Sequence, residues 1–291
     1  MAKKRKKHFN FFKFLLFIIL LGGTIYLYGT YIELKNYKIH EYKISSKKIT
    51  DSFDGFTIVH ISDLHYGKYL IKNDLKKIVK MINNTKPDIL VLTGDLLDKD
   101  LKISPEIVAE ITNELSKIKT KNGKYAITGN NDIKFDEWDN IIKNSNFINL
   151  NNNFDTIYNK KYDFLSISGL SSFDDNESIT NKSQKAITYL NSFEKNGPIY
   201  NILIMHEPDY IDKFEDNKFD LILAGHSHGG YINIPGYGAL IKPDGSKKYW
   251  SNHYKLKNSD LYVSNGLGIS DIKFRLFNTP SFNVYRLVKD A

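Results

Sequence analysis

The sequence is most informative at residues 221–230, which read Leu-Ile-Leu-Ala-Gly-His-Ser-His-Gly-Gly. A short apolar run ends there in two histidines that are two residues apart and lie between glycines. In an extended segment, residues i and i+2 point to the same side, so we expect His226 and His228 to project together. The glycines allow a close approach because they lack a Cβ atom. Neutral imidazole is a common ligand of divalent first-row metals, so this stretch predicts part of a metal site.

Further candidate metal donors follow other short apolar runs, each of which we predict to be a strand. These donors are Asp63, His65, Asp95, Asn130 and His206. In α/β sheets, the ligand crevice lies outside the carboxyl ends of the strands. Asp and Gly are ordinary turn residues, but turn chemistry alone is a poor explanation for five such strand ends in one chain. We therefore expect the donors to converge at one edge of a sheet.

The set of seven donors is too large for one tetrahedral ion. Two ions that share a bridging carboxylate, about 3.5–4 Å apart, would use all of them. Such a pair suits the hydrolysis of a phosphate ester, because it lowers the pKa of the attacking water and neutralises charge on the phosphoryl oxygens. The mixture of His, Asp and Asn donors favours manganese, iron or zinc.

Strand-like and helical patterns alternate along the chain. The predicted strands cover residues 57–61, 89–93, 125–128, 164–168, 199–205, 221–224, 261–264 and 282–287. Asn73 is predicted to cap one helix and Ser104-Pro105 to begin another. A further helix is predicted over residues 178–194, and the Asn-rich stretch 144–153 is predicted to form turns.

The N-terminal part of the chain predicts a membrane anchor. Residues 1–13 form a basic tail, and residues 14–31 form a charge-free apolar run that is just long enough to span a bilayer. The basic side is expected to stay cytoplasmic, which predicts a single-pass protein of the plasma membrane with an extracytoplasmic C-terminal domain. A cleaved signal peptide is the alternative, but no small-x-small cleavage site follows the run. Residues 32–53 are predicted to be a linker that passes into an edge strand, and residues 54–291 the catalytic domain.

Charge and cysteine content exclude several classes of function. The basic tail supplies most of the net charge of +8, which leaves about +2 for the remaining chain and gives no support for nucleic-acid binding. The chain has no cysteine, so disulfides and thiolate ligands are excluded. Nothing in the sequence indicates an obligate protein partner.

The ordered motifs resemble those of the calcineurin-like metallophosphoesterases. The motifs are Ser62-Asp63-Leu64-His65, Gly94-Asp95-Leu96-Leu97-Asp98, Gly129-Asn130-Asn131-Asp132, His206-Glu207-Pro208 and Gly225-His226-Ser227-His228-Gly229-Gly230. The resemblance runs from about residue 56 to residue 287, and the anchor together with the C-terminal region resembles a membrane-associated bacterial branch. The resemblance implies an α/β fold, namely a four-layer sandwich of the α+β type. In this fold two mixed β-sheets pack face to face with flanking helices.

The resemblance also implies roles for individual residues. Asp63, His65 and His228 would hold the first of two divalent ions. Asn130, His206 and His226 would hold the second ion, and Asp95 would bridge the two.

The chain departs from the family pattern at Asn131. The family usually has a histidine at this position, which is commonly assigned as the proton donor to the leaving group. An amide can donate a hydrogen bond to the phosphoryl group but cannot supply a proton at neutral pH. The departure leaves metal ligation intact and puts the efficient expulsion of a poor leaving group in doubt.

The sequence also gives predictions for residues outside the seven donors. His253 and Arg275 are predicted to contact substrate, and Asp98 either orients a ligand or is a solvated loop carboxylate. His60 is predicted to be a packed or supporting histidine. Glu207 and Asp209 are predicted to face solvent.

The sequence thus predicts a membrane-anchored, metal-dependent hydrolase of phosphoester or pyrophosphate bonds, with lipids or envelope precursors as the candidate substrates. Purple acid phosphatases and Ser/Thr phosphatases are disfavoured, because neither the tyrosine ligand after Gly94-Asp95 nor the Arg-Gly pair after Asp98 is present. The alternative is a metal-binding scaffold that binds phosphoesters and has weak or lost catalysis because of Asn131.

Overall fold

The computed structural model describes residues 11–159, 162–173, 178–193, 197–213 and 218–290. Within these residues, strands form two six-stranded sheets and one short hairpin. The first sheet, in spatial order, contains β1 (Lys38–Ser46), β14 (Ser281–Lys289), β2 (Thr57–Ile61), β3 (Ile89–Thr93), β4 (Lys124–Ile127) and β5 (Ile148–Asn149). β14 is antiparallel to β2, and the other neighbouring strands of this sheet are parallel.

The second sheet is also mixed. In spatial order it contains β12 (His253–Lys255), β13 (Asp260–Val263), β9 (Leu221–Ala224), β8 (Tyr200–Ile204), β7 (Phe164–Gly169) and β6 (Asn153–Tyr158). The two outer strands β12 and β6 are antiparallel to their neighbours, and the four inner strands are parallel. The hairpin pairs β10 (Asn233–Ile234) with β11 (Gly238–Ala239).

The two sheets pack face to face with helices outside, which confirms the predicted four-layer sandwich. One apolar cluster lies between the sheets and includes Ile58 and Val91 from the first sheet and Ile202 and Leu223 from the second. The helices are α2 (Lys72–Asn84), α3 (Pro105–Ser116) and α4 (Glu137–Asn144) on the first sheet, and α5 (Ile179–Asn191) on the second. Because both faces of the central strands are covered, β2, β3 and β9 are buried along their whole length. Their sequences are mainly apolar, with Thr57 and His60 in β2 and Thr93 in β3 as the polar exceptions.

The helix starts follow the local chemistry of their first turns. The Ser104 hydroxyl accepts a hydrogen bond from the Ile107 N–H, and Pro105 occupies the first helical position, as predicted. The predicted cap at Asn73 is wrong, because the helix already begins at Lys72. The Asp74 carboxylate instead accepts the Ile71 N–H at 3.1 Å.

The N-terminal apolar segment forms α1 (Phe11–Leu27), which none of the described residues buries. The helix continues through a π-helical turn at Tyr28–Ile32 and a 3₁₀ turn at Glu33–Lys35. The helical stretch Phe11–Lys35 is long and apolar enough to cross a membrane. It contains the predicted span 14–31.

The end of the apolar helix packs against the folded domain. The Arg275 N–H donates to the Gly29 carbonyl oxygen at 3.2 Å, and the Phe274 ring stacks on Tyr26 with centroids 6.3 Å apart. Glu33 is buried, and its carboxylate accepts the Asn278 N–H at 3.2 Å. The helix is therefore joined to the domain by specific contacts at its end.

The range 32–53, which the sequence predicts as a linker, contains β1. This strand pairs in parallel with β14 over nine residues, from Lys38 opposite Ser281 to Ser46 opposite Lys289. The turn that follows buries Ile49 and Phe53 between the sheets. The domain boundary at residue 54 stays a prediction, although the packed structure extends upstream of it.

Candidate metal centre

The predicted donors all lie beyond the carboxyl ends of parallel strands. Those after β2, β3 and β4 belong to the first sheet, and those after β8 and β9 belong to the second. The strand ends of the two sheets approach each other closely at Gly225, where an added Cβ would lie 1.9 Å from the Ser62 hydroxyl oxygen. A glycine is required at this position because any side chain would separate the two halves of the site.

Backbone strain is concentrated at the donor residues. Five of them have φ between 45° and 67°, in the left-handed region that non-glycine residues rarely adopt. They are Asp63, His65, Asp95, His226 and His228. Each such conformation costs about 1–3 kcal/mol, and strain of this kind clusters at functional sites where the surroundings enforce it.

The first donor group consists of Asp63, His65 and His228, whose ligand atoms lie within 4.8 Å of one another. The Nε2 atoms of His65 and His228 are 3.1 Å apart, and Nε2 of His228 is 3.8 Å from Oδ1 of Asp63. All three side chains are buried. Two imidazoles that face each other nitrogen to nitrogen beside a carboxylate make a suitable donor set for a divalent ion.

The second donor group consists of Asp95, Asn130, His206 and His226. Nε2 of His206 is 3.2 Å from Oδ1 of Asn130 and 3.3 Å from Nδ1 of His226. Oδ2 of Asp95 is 3.5 Å from Nε2 of His206 and also 3.5 Å from Nε2 of His65. This carboxylate oxygen therefore lies between the two donor groups.

Asp63 approaches the second group as well. Its ligand atom lies within 4.8 Å of those of Asp95 and His206. Both carboxylate oxygens of Asp63 also accept the His226 N–H, at 3.1 and 3.0 Å. The carboxylate thus joins the backbone of one strand end to the ligand set of another.

Supporting contacts decide which ring nitrogen of each histidine is free to bind an ion. Nδ1 of His206 is 2.6 Å from the Thr93 carbonyl oxygen, and Nε2 of His226 is 2.7 Å from the Asp244 carbonyl oxygen. A carbonyl only accepts, so these nitrogens carry protons, and the opposite nitrogens, which face each other, are the ones that can offer a lone pair to an ion. Such supporting acceptors orient histidine ligands and raise their basicity.

Asp98 is a buried carboxylate rather than a solvated one. Its Oδ2 atom is 3.8 Å from Nδ1 of His65 and has no hydrogen-bond partner among the described residues. Its Oδ1 atom accepts the Asp100 N–H at 3.0 Å, which holds the side chain in place. Of the two readings from sequence, orientation of a ligand is therefore the one that agrees with the structure.

Asn131 and Asp132 connect the loops that carry the second group. The Asn131 N–H donates to Oδ1 of Asp95 at 2.9 Å, and its side-chain amide lies 2.5 Å from Oδ2 of the same carboxylate. The fully buried Asp132 carboxylate accepts N–H groups from Leu96, Leu97 and Gly129. Burial, together with the nearby Asp95 charge, raises the pKa of Asp132 to about 7.

Electrostatic interactions keep the central carboxylate ionised. Burial alone raises the pKa of the Asp95 carboxyl, but attraction to His206 and His65 and the Asn131 N–H outweigh it, so the pKa lies well below its usual range. Burial, followed by the proximity of His65 and Arg275, lowers the pKa of His228. His228 is therefore neutral, as metal binding requires. Burial lowers the pKa of His206, but the charge and hydrogen bond of Asp95 outweigh burial and raise this pKa well above its usual range, so binding of an ion at Nε2 would release a proton.

His60 supports the donor His206 indirectly, through Thr93. It is fully buried in β2, and its Nε2 atom is 2.8 Å from the Thr93 hydroxyl, whose carbonyl contacts His206. Burial lowers the pKa of His60 to about 3, so the ring is neutral. This position agrees with the predicted packed or supporting role.

The structure corrects the prediction for Arg275. Its guanidinium is fully buried, and Nη2 donates to the carbonyl oxygens of Gly266 and Gly268 and lies 3.4 Å from Nδ1 of His228. The side chain therefore supports a site loop from behind, and it has no exposed surface with which to contact a substrate.

The prediction for His253 is corrected as well. This residue lies on edge strand β12, where its ring stacks on Tyr262 and Nε2 lies 2.8 Å from Oδ1 of Asp260. The imidazole is thus held by its own neighbours at the edge of the sheet, and it belongs to none of the groups of donor atoms that lie within 4.8 Å of one another.

Glu207 is a site residue that the sequence reasoning missed. The prediction that it faces solvent is wrong: the carboxylate is buried, its ligand atom lies within 4.8 Å of those of His206 and His226, and it accepts the Ser172 hydroxyl. Its Oε2 atom has no partner within the described part of the chain.

The prediction that Asp209 faces solvent is wrong as well. Asp209 is half-buried and accepts the N–H groups of residues 247–249, so it holds a loop instead of facing solvent.

Comparison with known proteins gives a consistent set of relatives. The calcineurin-like phosphoesterase family profile matches residues 56–230. The chain is 31% identical over 277 residues to the uncharacterized metallophosphoesterase YkuE of Bacillus subtilis, covering 92% of this chain and 91% of YkuE. It is 26% identical over 287 residues to the uncharacterized metallophosphoesterase YkoQ of the same organism, covering 95% and 100%. A transmembrane protein with metallophosphoesterase domain from Danio rerio is 24% identical over 271 residues, covering 89% of this chain and 59% of that protein.

Proposed function

Since the chain belongs to the calcineurin-like phosphoesterase family, we propose that it hydrolyses phosphoester or pyrophosphate bonds with two divalent ions while α1 anchors it to a membrane. A metal-dependent phosphoester hydrolase is the activity that the family shares. We add three proposals for this chain: the type of bond that it hydrolyses, its use of two ions, and its location at a membrane. The family and the complete donor set favour catalysis over a scaffold that only binds phosphoesters.

The observation that carries the proposal is the position of the Asp95 carboxylate between two donor groups. In our assignment, Asp63, His65 and His228 hold one ion. Asn130, His206 and His226 would hold the other ion, and Asp95 would serve both. The residues fit such a pair, because five of the seven donors are buried and Asn130 and His226 half-buried, and because the donors face one another and are supported by carbonyl and carboxylate acceptors behind them.

The ions, when bound, would lower the pKa of the attacking water and neutralise charge on the phosphoryl oxygens. The chain itself contributes a fixed arrangement of ligands. One amide N–H of Asn131 donates to Oδ2 of Asp95. The other would donate to a phosphoryl oxygen, and this hydrogen bond would orient the ester without transferring a proton. Manganese, iron and zinc are the metals that best suit the donor set.

We further propose that the anchored domain lies outside the cytoplasm at the plasma membrane. The apolar helix Phe11–Lys35 and the preceding basic tail support a single span with the tail inside. Lipids or envelope precursors that carry phosphoester or pyrophosphate groups would then be within reach of the site.

The test is the turnover of a panel of phosphodiesters, phosphomonoesters and pyrophosphates by the full-length protein with added manganese. We expect at least one class to be hydrolysed, and we expect a chelator and His228→Ala to abolish this activity. The matched control is His253→Ala, which removes a histidine outside the donor groups and should leave the rate unchanged. If no class were hydrolysed with manganese, iron or zinc, the proposal would be wrong.

A further inference from the structure

A cavity of about 250 Å³ lies between the end of the apolar helix and two loops next to the donor residues. Three segments line it, namely the helix end from Thr30 to Tyr37, the loop Lys68–Ile71 and the loop from Leu267 to Lys273. Its size exceeds the roughly 150 Å³ cavity that holds a benzene molecule in another protein. The cavity therefore has room for part of an apolar chain.

The inner wall of the cavity is apolar, and it is hydrogen-bonded to the backbone of the donor Asp63 and its neighbour Ser62. Leu70, Leu267 and Ile269 line the cavity and are buried. The Leu267 N–H donates to the Ser62 carbonyl oxygen at 3.1 Å, and the Gly268 N–H donates to the Asp63 carbonyl oxygen at 2.6 Å. The same short loop thus forms both a wall of the cavity and the support of a metal ligand.

The outer rim carries exposed apolar side chains beside the membrane-spanning candidate. Tyr31 and Ile71 line the cavity and are 61% and 52% exposed. Ile272 and Phe277 are also exposed, on the loop whose Phe274 packs against the helix at Gly29. Exposed apolar groups that surround the end of such a helix form a surface suited to the bilayer interface.

Polar groups at the cavity suit a molecule that also has a charged head. Lys35, Lys68 and Lys273 are among the lining residues, and the Lys273 ammonium lies over the Tyr31 ring at 4.9 Å. The buried Thr30 hydroxyl has no hydrogen-bond partner among the residues that the structure describes. A buried hydroxyl of this kind is satisfied when a ligand supplies an acceptor such as an ester carbonyl.

We propose that this cavity binds the apolar chain of a membrane lipid, and that the substrate is a phosphoester amphiphile that enters from the bilayer. Lys273 at the rim would attract its phosphate, because Lys35 and Lys68 are already paired with Asp74 and Asp100. The chain would lie against Leu70 and Ile269. The substrate assignment rests on the proposed function, whereas binding of the chain does not.

The first test compares methyl and decyl esters of 4-nitrophenyl phosphate, which share one leaving group. Full-length protein in phospholipid nanodiscs with manganese should have a kcat/KM about tenfold or more higher for the decyl ester, because only that ester has a chain to bury. Thr30→Phe, which fills the cavity, and Ile71→Glu, which places a charge at its rim, should remove the preference and leave the methyl ester rate unchanged. Ile148→Glu is the matched control, since Ile148 is 43% exposed on β5 and outside the cavity.

The second test does not depend on turnover. Nanodiscs that contain a phosphatidic acid with a diazirine in its acyl chain are irradiated, and the labelled peptides are mapped. We expect labelling at 267–269, which is lost in Thr30→Phe and kept in Ile148→Glu, while labelling of α1 is equal in all variants.

The outcomes separate the two proposals. Labelling at 267–269 without hydrolysis of either ester would overturn the substrate assignment and leave the binding of a lipid chain supported. The proposed function would be wrong only if the phosphomonoesters and pyrophosphates of the panel also failed to react. Hydrolysis without a chain preference, together with labelling confined to α1, would overturn the lipid cavity alone. If Thr30→Phe failed to fold, Ile71→Glu would decide both assays.

Discussion

The side-chain amide of Asn131 lies within hydrogen-bond distance of the Asp95 carboxylate, with 2.5 Å between Nδ2 and Oδ2. The same oxygen lies between His65 and His206, so the amide is located where the two donor groups meet. At this position Asn131 can orient a phosphoryl group. It cannot protonate a departing alcohol, because an amide has no proton to give at neutral pH.

We therefore expect hydrolysis by the wild-type protein to depend strongly on the acidity of the leaving group. Aryl esters and pyrophosphates should react and simple alkyl esters hardly at all. Asn131→His should accelerate the poor leaving groups by on the order of 10²–10⁴-fold, the usual contribution of general acid catalysis, and should change good leaving groups little. A Brønsted plot of rate against leaving-group pKa, at saturating metal, measures this. Equal slopes for both proteins would show that another group already supplies the proton.

A bridging Asp95 predicts a distinct pattern of metal loss. Asp95→Ala should lose more metal than any variant of a terminal ligand, because the carboxylate serves both ions. Asn130→Ala is the matched comparison, since it removes one neutral donor of the second group and should retain the first ion. Metal per chain is measured by elemental analysis after gel filtration. Unchanged occupancy in Asp95→Ala would contradict the bridging assignment.

Asp98 should act through His65, not on substrate. Asp98→Asn keeps the shape of the side chain but removes the charge 3.8 Å from Nδ1 of His65. We expect metal affinity to fall by about 10–100-fold, the usual effect of losing such a supporting carboxylate. Competition with a chelator measures the affinity, and the activity should recover at high metal concentration. Asp100→Asn is the control, because that side chain is 63% exposed. An activity loss that added metal does not reverse would argue against a positioning role.

The orientation of the span can be tested with protease. If the basic tail is cytoplasmic, protease added to intact spheroplasts should degrade residues beyond the span, while an N-terminal tag should survive. Degradation of the domain only after lysis would reverse the orientation. A cytoplasmic marker protein that stays intact shows that the membrane was sealed.

The sequence predicted the central strands and the donors well, for a physical reason. β2, β3 and β9 are buried on both faces, so their apolar runs match the strands residue for residue. The donors could be grouped because parallel strands end at one edge. The short strands β5, β10, β11 and β12 were missed, since two or three residues carry no periodic signal. The six-residue edge strand β6 was missed as well, because Ile157 is its one buried residue and the strand has no regular alternation.

The errors at single residues arise from tertiary contacts. Glu207 is a charged residue in a loop, and such residues are usually exposed. Only the structure shows that it is buried beside His206 and His226. Arg275 was predicted to contact substrate, but its hydrogen bonds to Gly266 and Gly268 come from a loop arrangement that spacing does not reveal. The fit of the apolar helix end against Arg275 was likewise not readable from composition.

The parallel pairing of β1 with β14 determines where this protein can be cut. A soluble fragment that begins near residue 50 would remove all of β1 and expose the unpaired N–H and C=O groups of β14 over its length. It would also lose Glu33, whose carboxylate holds Asn278, the residue whose amide in turn contacts the His228 carbonyl oxygen. Insolubility or poor metal binding in such a fragment would then result from the truncation, not from the catalytic residues. Purification should retain the chain from the end of the apolar helix onwards.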